Sequence, residues 1–246
     1  MVPPIEGSFK VEIKDSNQAE SIVSKLDEKE KKLLLGALQK GKEPLEKKEI
    51  TKEHLLNKPN MTAKDKEGMQ KSIDLLVNEK MDTSENLKML DAITYTKEYI
   101  KVGPTKRARK DITAKPNGKN IFQHNNVTYF KRSEEMIKKQ NDLLAKQGME
   151  IPLDSYYEAS FNALPGKYTK GNRYDGGNIL ALITDMSMSG YCGSDGTLDN
   201  KGTYGYRWSA SPKDNNNARN FEFHKDRGRL DRNDSYNALP VRPVLK

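Results

Sequence analysis

At 246 residues the chain has room for one large domain or two small ones. It is 34% hydrophobic and 32% charged, with a mean hydropathy of −0.90, and no stretch approaches the roughly 18 consecutive apolar residues of a membrane helix. Its one cysteine, Cys192, excludes an internal disulfide framework and a multi-cysteine zinc site, and the net charge is +8.

The opening "MVPPIEGSFKVEIKD" lacks a basic region followed by an apolar core, so no secretory signal is expected. The expected location is cytoplasmic, virion-associated or outside the cell by a non-classical route. Alternation of Phe9, Val11 and Ile13 predicts a short strand near 9–14. Ile22, Val23, Leu26, Leu33, Leu34 and Leu38 then recur at helical spacing until Gly41. A second helix is predicted in "TAKDKEGMQKSIDLLVNEK", where Thr62 and Asp65 form a capping box ahead of Met69, Ile73, Leu76 and Val77. A third is predicted over "TSENLKMLDAITYTKEYI", with Leu87, Leu90, Ile93 and Tyr95 on one side. Residues 1–100 thus read as a mostly α-helical region whose stripes suit core packing, and which serves as a tether or oligomerisation module.

Between Lys97 and Lys119 stand eight basic residues against Glu98 and Asp111, a local charge of +6. Residues 101–111 of this stretch read as a basic linker. Lys106, Arg107, Arg109 and Lys110 are the candidates for meeting nucleic-acid phosphates. Beyond Tyr99 no aromatic residues interleave for base stacking, and a solvated connector explains the segment as well.

From about 112 the composition shifts toward glycine, aromatics and Asn/Asp turns. A strand ending near Phe130 leads to a helix capped by Ser133, with Met136, Ile137, Leu143 and Leu144 on its apolar side and Gly148 at its end. A short strand then reaches Pro152, and Asp154 is expected to cap a helix carrying Tyr157, Phe161 and Leu164. Short strands separated by turns follow. His54, His124 and His224 lie far apart, and no metal site is expected from them.

Four segments of this half carry a resemblance: Gly148 to Tyr157 ("GMEIPLDSYY"), Gly205 to Ser211 ("GYRWSAS"), Asn217 to Phe223 ("NARNFEF") and Val241 to Pro243 ("VRP"). In that order they resemble the C-type lectin-like fold, in its branch similar to formylglycine-generating enzymes. The ending most resembles the variable proteins of diversity-generating retroelements. Those systems mutate adenines in a repeat at the 3′ end of a gene, so that asparagine codons become many others. The resemblance implies an α+β fold: a C-type lectin-like ligand-binding domain over 112–246, of mixed short strands with two helices, preceded by the helical N-terminal region.

It also implies a display surface over the final ~40 residues, a skeleton carrying interchangeable side chains as antibody loops do. Alternation assigns Tyr206, Trp208, Ala218, Phe221, Phe223, Leu239 and Val241 to the buried set. The expected ligand-binding residues are Arg207, Asp214, Asn215, Asn216, Asn217, Arg219, Asn220, Glu222, His224, Lys225, Asp226, Arg229, Asp231, Arg232 and Tyr236. Asn, Asp and Gly clusters are also ordinary turn formers.

The oxidase chemistry of formylglycine-generating enzymes needs a reactive cysteine pair, and Cys192 stands alone in "GYCGSDG", so no enzyme activity and no cofactor are expected. Calcium-dependent lectins use Glu-Pro-Asn or Gln-Pro-Asp with a later Trp-Asn-Asp, and none of these occurs. The oxygens of "GSDGTLDNKG" suit a structural Ca²⁺, and a hairpin turn explains them more simply. Three functions stay open: a ligand-binding protein with a protein or glycan partner on a cell or phage surface, a virion receptor-binding structural protein, and a nucleic-acid-associated protein. A homo-oligomer built through the N-terminal helices is compatible with each.

Overall fold

The computed structural model describes residues 27–28, 50–166, 173–174, 178–211, 217–225 and 227–246. The chain divides into two units, Met1–Glu49 and Ile50–Lys246, and the second is described here. The strand expected near 9–14 and, apart from residues 27–28, the helix expected before Gly41 lie outside the described residues.

The second unit mixes helices with three antiparallel sheets. It begins with α1 (Lys52–Leu56), α2 (Ala63–Asn78) and α3 (Ser84–Asp91). The capping box forms as expected: Thr62 Oγ1 accepts from the Asp65 amide at 3.2 Å, and an Asp65 carboxylate oxygen accepts from the Thr62 amide at 2.6 Å. Met69, Ile73 and Leu76 point inward, whereas Val77 is 52% exposed. The third helix is shorter than its stripe suggested. It ends at Asp91, and Thr94–Tyr95 form β1, because the aromatic and β-branched run from Ile93 to Thr96 favours extended backbone.

The stretch expected as a basic linker is the β2–β3 hairpin, Tyr99–Val102 and Thr105–Ala108. It joins the sheet β1-β2-β3-β14-β6, where β14 (Val244–Leu245) fills the space between β3 and β6 (Met149–Glu150). One hydrophobic core combines Met69 and Ile73 of α2 with Tyr157, Phe161, Phe221 and Phe223 from the C-terminal half. Residues 50–100 therefore share a core with 112–246 instead of standing apart as a helical module.

Farther along, β4 (Ile121–His124) and β5 (Val127–Lys131) precede α4 (Glu134–Ala145), whose cap is Ser133, bonded to the Met136 amide at 3.1 Å. Gly148, at φ +67°, turns the chain into β6. Helix α5 (Asp154–Asn162) departs from expectation at its start. Leu153 is the cap residue and offers no side-chain bond, and the Asp154 carboxylate is drawn instead to Arg219 at 2.6 Å. A short third helix of this half, α6 (Ile179–Ile183), went unforeseen because "ILALI" is apolar on every side.

Gly68 of α2 lies directly on α6: a Cβ there would meet the Leu182 carbonyl oxygen at 2.1 Å. Gly68→Ala must push the two helices apart, and the expected loss is about 1–3 kcal/mol, read from the urea midpoint.

The remaining strands are β7 (Arg173–Tyr174), β8 (Tyr191–Cys192), β9 (Leu198–Asp199), β10 (Tyr204–Trp208), β11 (Asn217–His224), β12 (Arg227–Asp234) and β13 (Ala238–Leu239). They form sheets in the orders β10-β11-β12-β7 and β4-β5-β13-β8-β9. The "GSDGTLDNKG" segment makes the β8–β9 hairpin, in which the Asp195 side chain accepts from the Thr197 amide and hydroxyl.

Candidate binding face

Cross-strand register decides which side chains of β10, β11 and β12 share a face. Arg207 lies opposite Phe221, and Phe221 opposite Leu230; one step along, Tyr206 faces Glu222, and Glu222 faces Arg229. Arg207 therefore belongs with Phe221, Phe223 and Leu230. That side packs on α5, with Phe221 at 5.2 Å from Tyr157 and 5.4 Å from Phe161 between ring centroids.

The other side begins dry and ends wet. Trp208, Tyr206 and Ala218 join Phe130, Leu144, Ile151, Leu239 and Val241 in a second core. The Trp208 indole donates to the Phe130 carbonyl at 2.6 Å. Toward the β11–β12 turn the same side carries Tyr204, Glu222, His224, Arg227, Arg229 and Asp231. The Tyr204 ring stacks at 6.0 Å from Tyr206 and lies 4.9 Å from the His224 ring.

The charges here form a ladder. Glu222, 7% exposed, accepts from Arg229 at 3.0 and 3.2 Å and lies 3.8 Å from Arg227. Arg229 also reaches Asp231 at 2.6 Å, and Arg227 donates to the Tyr204 hydroxyl at 3.0 Å. The bond to Glu222 pushes the Arg229 guanidinium above its ordinary value. Burial, together with the charge of Glu222, moves the Tyr206 phenol up to about 12. Two carboxylates and two guanidiniums balance, so the face offers paired donors and acceptors beside aromatic rings without net charge.

Of the expected display residues, the structure gathers Glu222, His224, Arg229 and Asp231 here. Tyr204 and Arg227 complete the group and were missed; their sharing of a register with His224 is the signal that pairs them. Arg219 and Arg232 face each other across the opposite side, Asn217 and Lys225 are exposed at the two ends of β11, and Tyr236 is 59% exposed in the turn after β12. Asp214, Asn215, Asn216 and Asp226 lie outside the described residues.

Three expected display residues are corrected, because each is buried: Glu222, covered by its arginine partners, and two more. Arg207 is fully buried, bridged to Asp111 at 2.8 Å, and its guanidinium lies 5.7 Å above the Phe223 ring. Asn220 is 1% exposed, opposite Trp208. Alternation sorts a strand into two faces, but here the packing covers both faces around Trp208.

The basic stretch is corrected in the same way. Arg107 is fully buried, donating to the Tyr156 carbonyl and Ser160 hydroxyl with its guanidinium 4.6 Å from the Tyr157 ring. Arg109 binds Asp65 at 2.6 Å. Neither side chain is presented to a phosphate, whereas Lys110 is exposed and Lys106 lies 5.5 Å over the Tyr99 ring.

Cys192 is fully buried, and burial with the nearby Asp195 and Asp199 pushes its thiol up to about 11, away from the nucleophilic thiolate. Among the described residues no cluster of three or more His, Cys, Asp or Glu side chains is placed to hold a metal, and no helix is long and apolar enough to cross a membrane. No protein-family model matches the chain, and neither a curated protein nor a solved structure does.

Proposed function

We propose that this chain is a ligand-binding protein whose C-terminal half is a C-type lectin-like domain, and that its final strands display a diversifiable surface of the retroelement variable-protein kind. The observation that carries the reading is the division within β10–β12: Phe221, Phe223 and Trp208 are packed, while Tyr204, His224, Arg229 and Asp231 sit at the accessible end of the same strands, the arginine held by the buried Glu222. Aromatic rings beside adaptable hydrogen-bonding groups are the chemistry of selected binding surfaces. The strand–helix–strand–helix run from β4 to α5, with antiparallel strands after it, also fits the element order that the resemblance implies, and the short α6 is an addition to it. The partner is a protein or glycan on a cell or phage surface, and deployment on a virion is the variant of the same reading.

Sequencing the 3′ end of the gene in many isolates, with its flanking DNA, tests the proposal. The expected result is substitution concentrated at Asn217, Arg229, Asp231, Arg232 and Tyr236 beside constant Trp208, Phe221 and Phe223, together with a template repeat and a reverse-transcriptase gene. Uniform variation across both sets, or flanking DNA without those elements, would remove the diversification claim.

A further inference from the structure

A cavity of about 760 Å³ opens between α4 and the 108–114 stretch, away from the display strands. Phe130, Leu143, Leu144, Met149 and Leu245 supply its apolar lining, and Leu143 is 54% exposed there. This size falls within the range of about 300–1,000 Å³ typical of small-molecule sites.

Its polar lining divides into engaged and unengaged groups. Gln140, 7% exposed on the α4 wall, has a side-chain nitrogen that is buried without a hydrogen-bond partner. A buried donor left unpaired is costly, and a turn of the Gln140 side chain toward an acceptor in the cavity relieves that cost. Lys97 and Lys110 line the cavity, both exposed and with no ion pair among the described residues. The other charged residues of that wall are engaged: Arg109 with Asp65, and Asp111 with Arg207 and Arg242. Glu98 also lines the cavity, so the uncommitted charges sum to +1. A hydrocarbon body suits the lining, and one negative charge suits the remainder.

We infer that this cavity binds an amphipathic monocarboxylate, its acyl chain laid on Leu143, Leu144 and Met149 and its carboxylate accepting from Gln140 and neutralised by Lys97 and Lys110. Dodecanoate, kept below its micelle-forming concentration and titrated calorimetrically into the full chain, is the probe. The expected result is one saturable site, with dodecanol and dodecyltrimethylammonium each at least about tenfold weaker. Leu143→Glu, at an exposed position, and the double variant Lys97→Ala/Lys110→Ala are each expected to weaken dodecanoate about tenfold, and Gln140→Leu likewise, whereas Arg229→Ala on the display face leaves it unchanged. Absence of saturable binding, equal affinity for the ammonium amphiphile, or a Leu143→Glu variant that binds as well as the parent overturns the proposal.

Discussion

Asp111→Ala is expected to lower the unfolding free energy by about 3–5 kcal/mol, because it strips the shared counter-charge from two buried guanidiniums. Asp111 bonds Arg207 at 2.8 Å and Arg242 at 2.7 Å, with Arg207 fully buried and the Arg242 side chain 4% exposed. The other partners of the two arginines are neutral: the Tyr206 and Ser187 carbonyls and Ser189 hydroxyl for Arg207, the Thr184, Asp185, Ala108 and Arg109 carbonyls for Arg242. Removing the carboxylate leaves two like charges facing each other in a low-dielectric site. Asp111→Asn keeps the shape, and its near-equal loss would identify charge as the cause. Urea denaturation of the three proteins reads the difference.

The same carboxylate makes a pH prediction. Burial raises the Asp111 carboxyl, and Arg207 and Arg242 more than reverse this, so its folded value lies below the ordinary one of 3.8. A depressed folded value means that the unfolded chain takes up the proton first. The stabilisation is thus complete above pH ~4 and is lost as the pH falls through the folded value. Acid unfolding of Asp111→Asn, compared with the parent, should show a correspondingly weaker dependence on pH below ~4.

Trp208→Ala is expected to cost about 3–5 kcal/mol, the toll of emptying an indole-sized space in a packed core. Trp208 is 3% exposed between Phe130, Leu239 and Val241, and it ties β10 to β5 through the Phe130 carbonyl. Trp208→Phe keeps most of the packing and gives up the bond, so a loss of about 1–2 kcal/mol is expected. Thermal melts of the pair separate the packing share from the bonded share. Equal melting temperatures for the alanine variant and the parent would sink the assignment of Trp208 as the anchor of this core.

What could be read from sequence was local. The Thr62–Asp65 box and the Ser133 cap involve residues three apart, and short-range spacing dictates them. The buried arginines were illegible because their partners are remote in the chain: Asp111 precedes Arg207 by 96 positions and Arg242 by 131. An arginine in a polar run reads as solvated until a distant carboxylate is brought to it. The face of β10 was illegible for a second reason. Alternation separates Arg207 from Tyr206 and Trp208, but only the register with β11 shows that Arg207 accompanies Phe221. Polarity alone marks His224, Arg229 and Asp231, and pairing across three strands is what sets them beside Tyr204 and Arg227.

The position of β14 has a consequence for biosynthesis. Val244 and Leu245 pair with β3 on one edge and β6 on the other, so both neighbours await residues that the ribosome adds after β12. Closure of that sheet is a late, long-range event, and a nascent chain halted within β12 presents two unsatisfied strand edges to quality control. A shifted reading frame anywhere in the segment coding for 217–236 would replace the Val241–Leu245 keystone as well. Frame errors therefore cost the fold more than in-frame substitutions at the exposed positions of β11 and β12, because only the former remove the strand that closes this sheet.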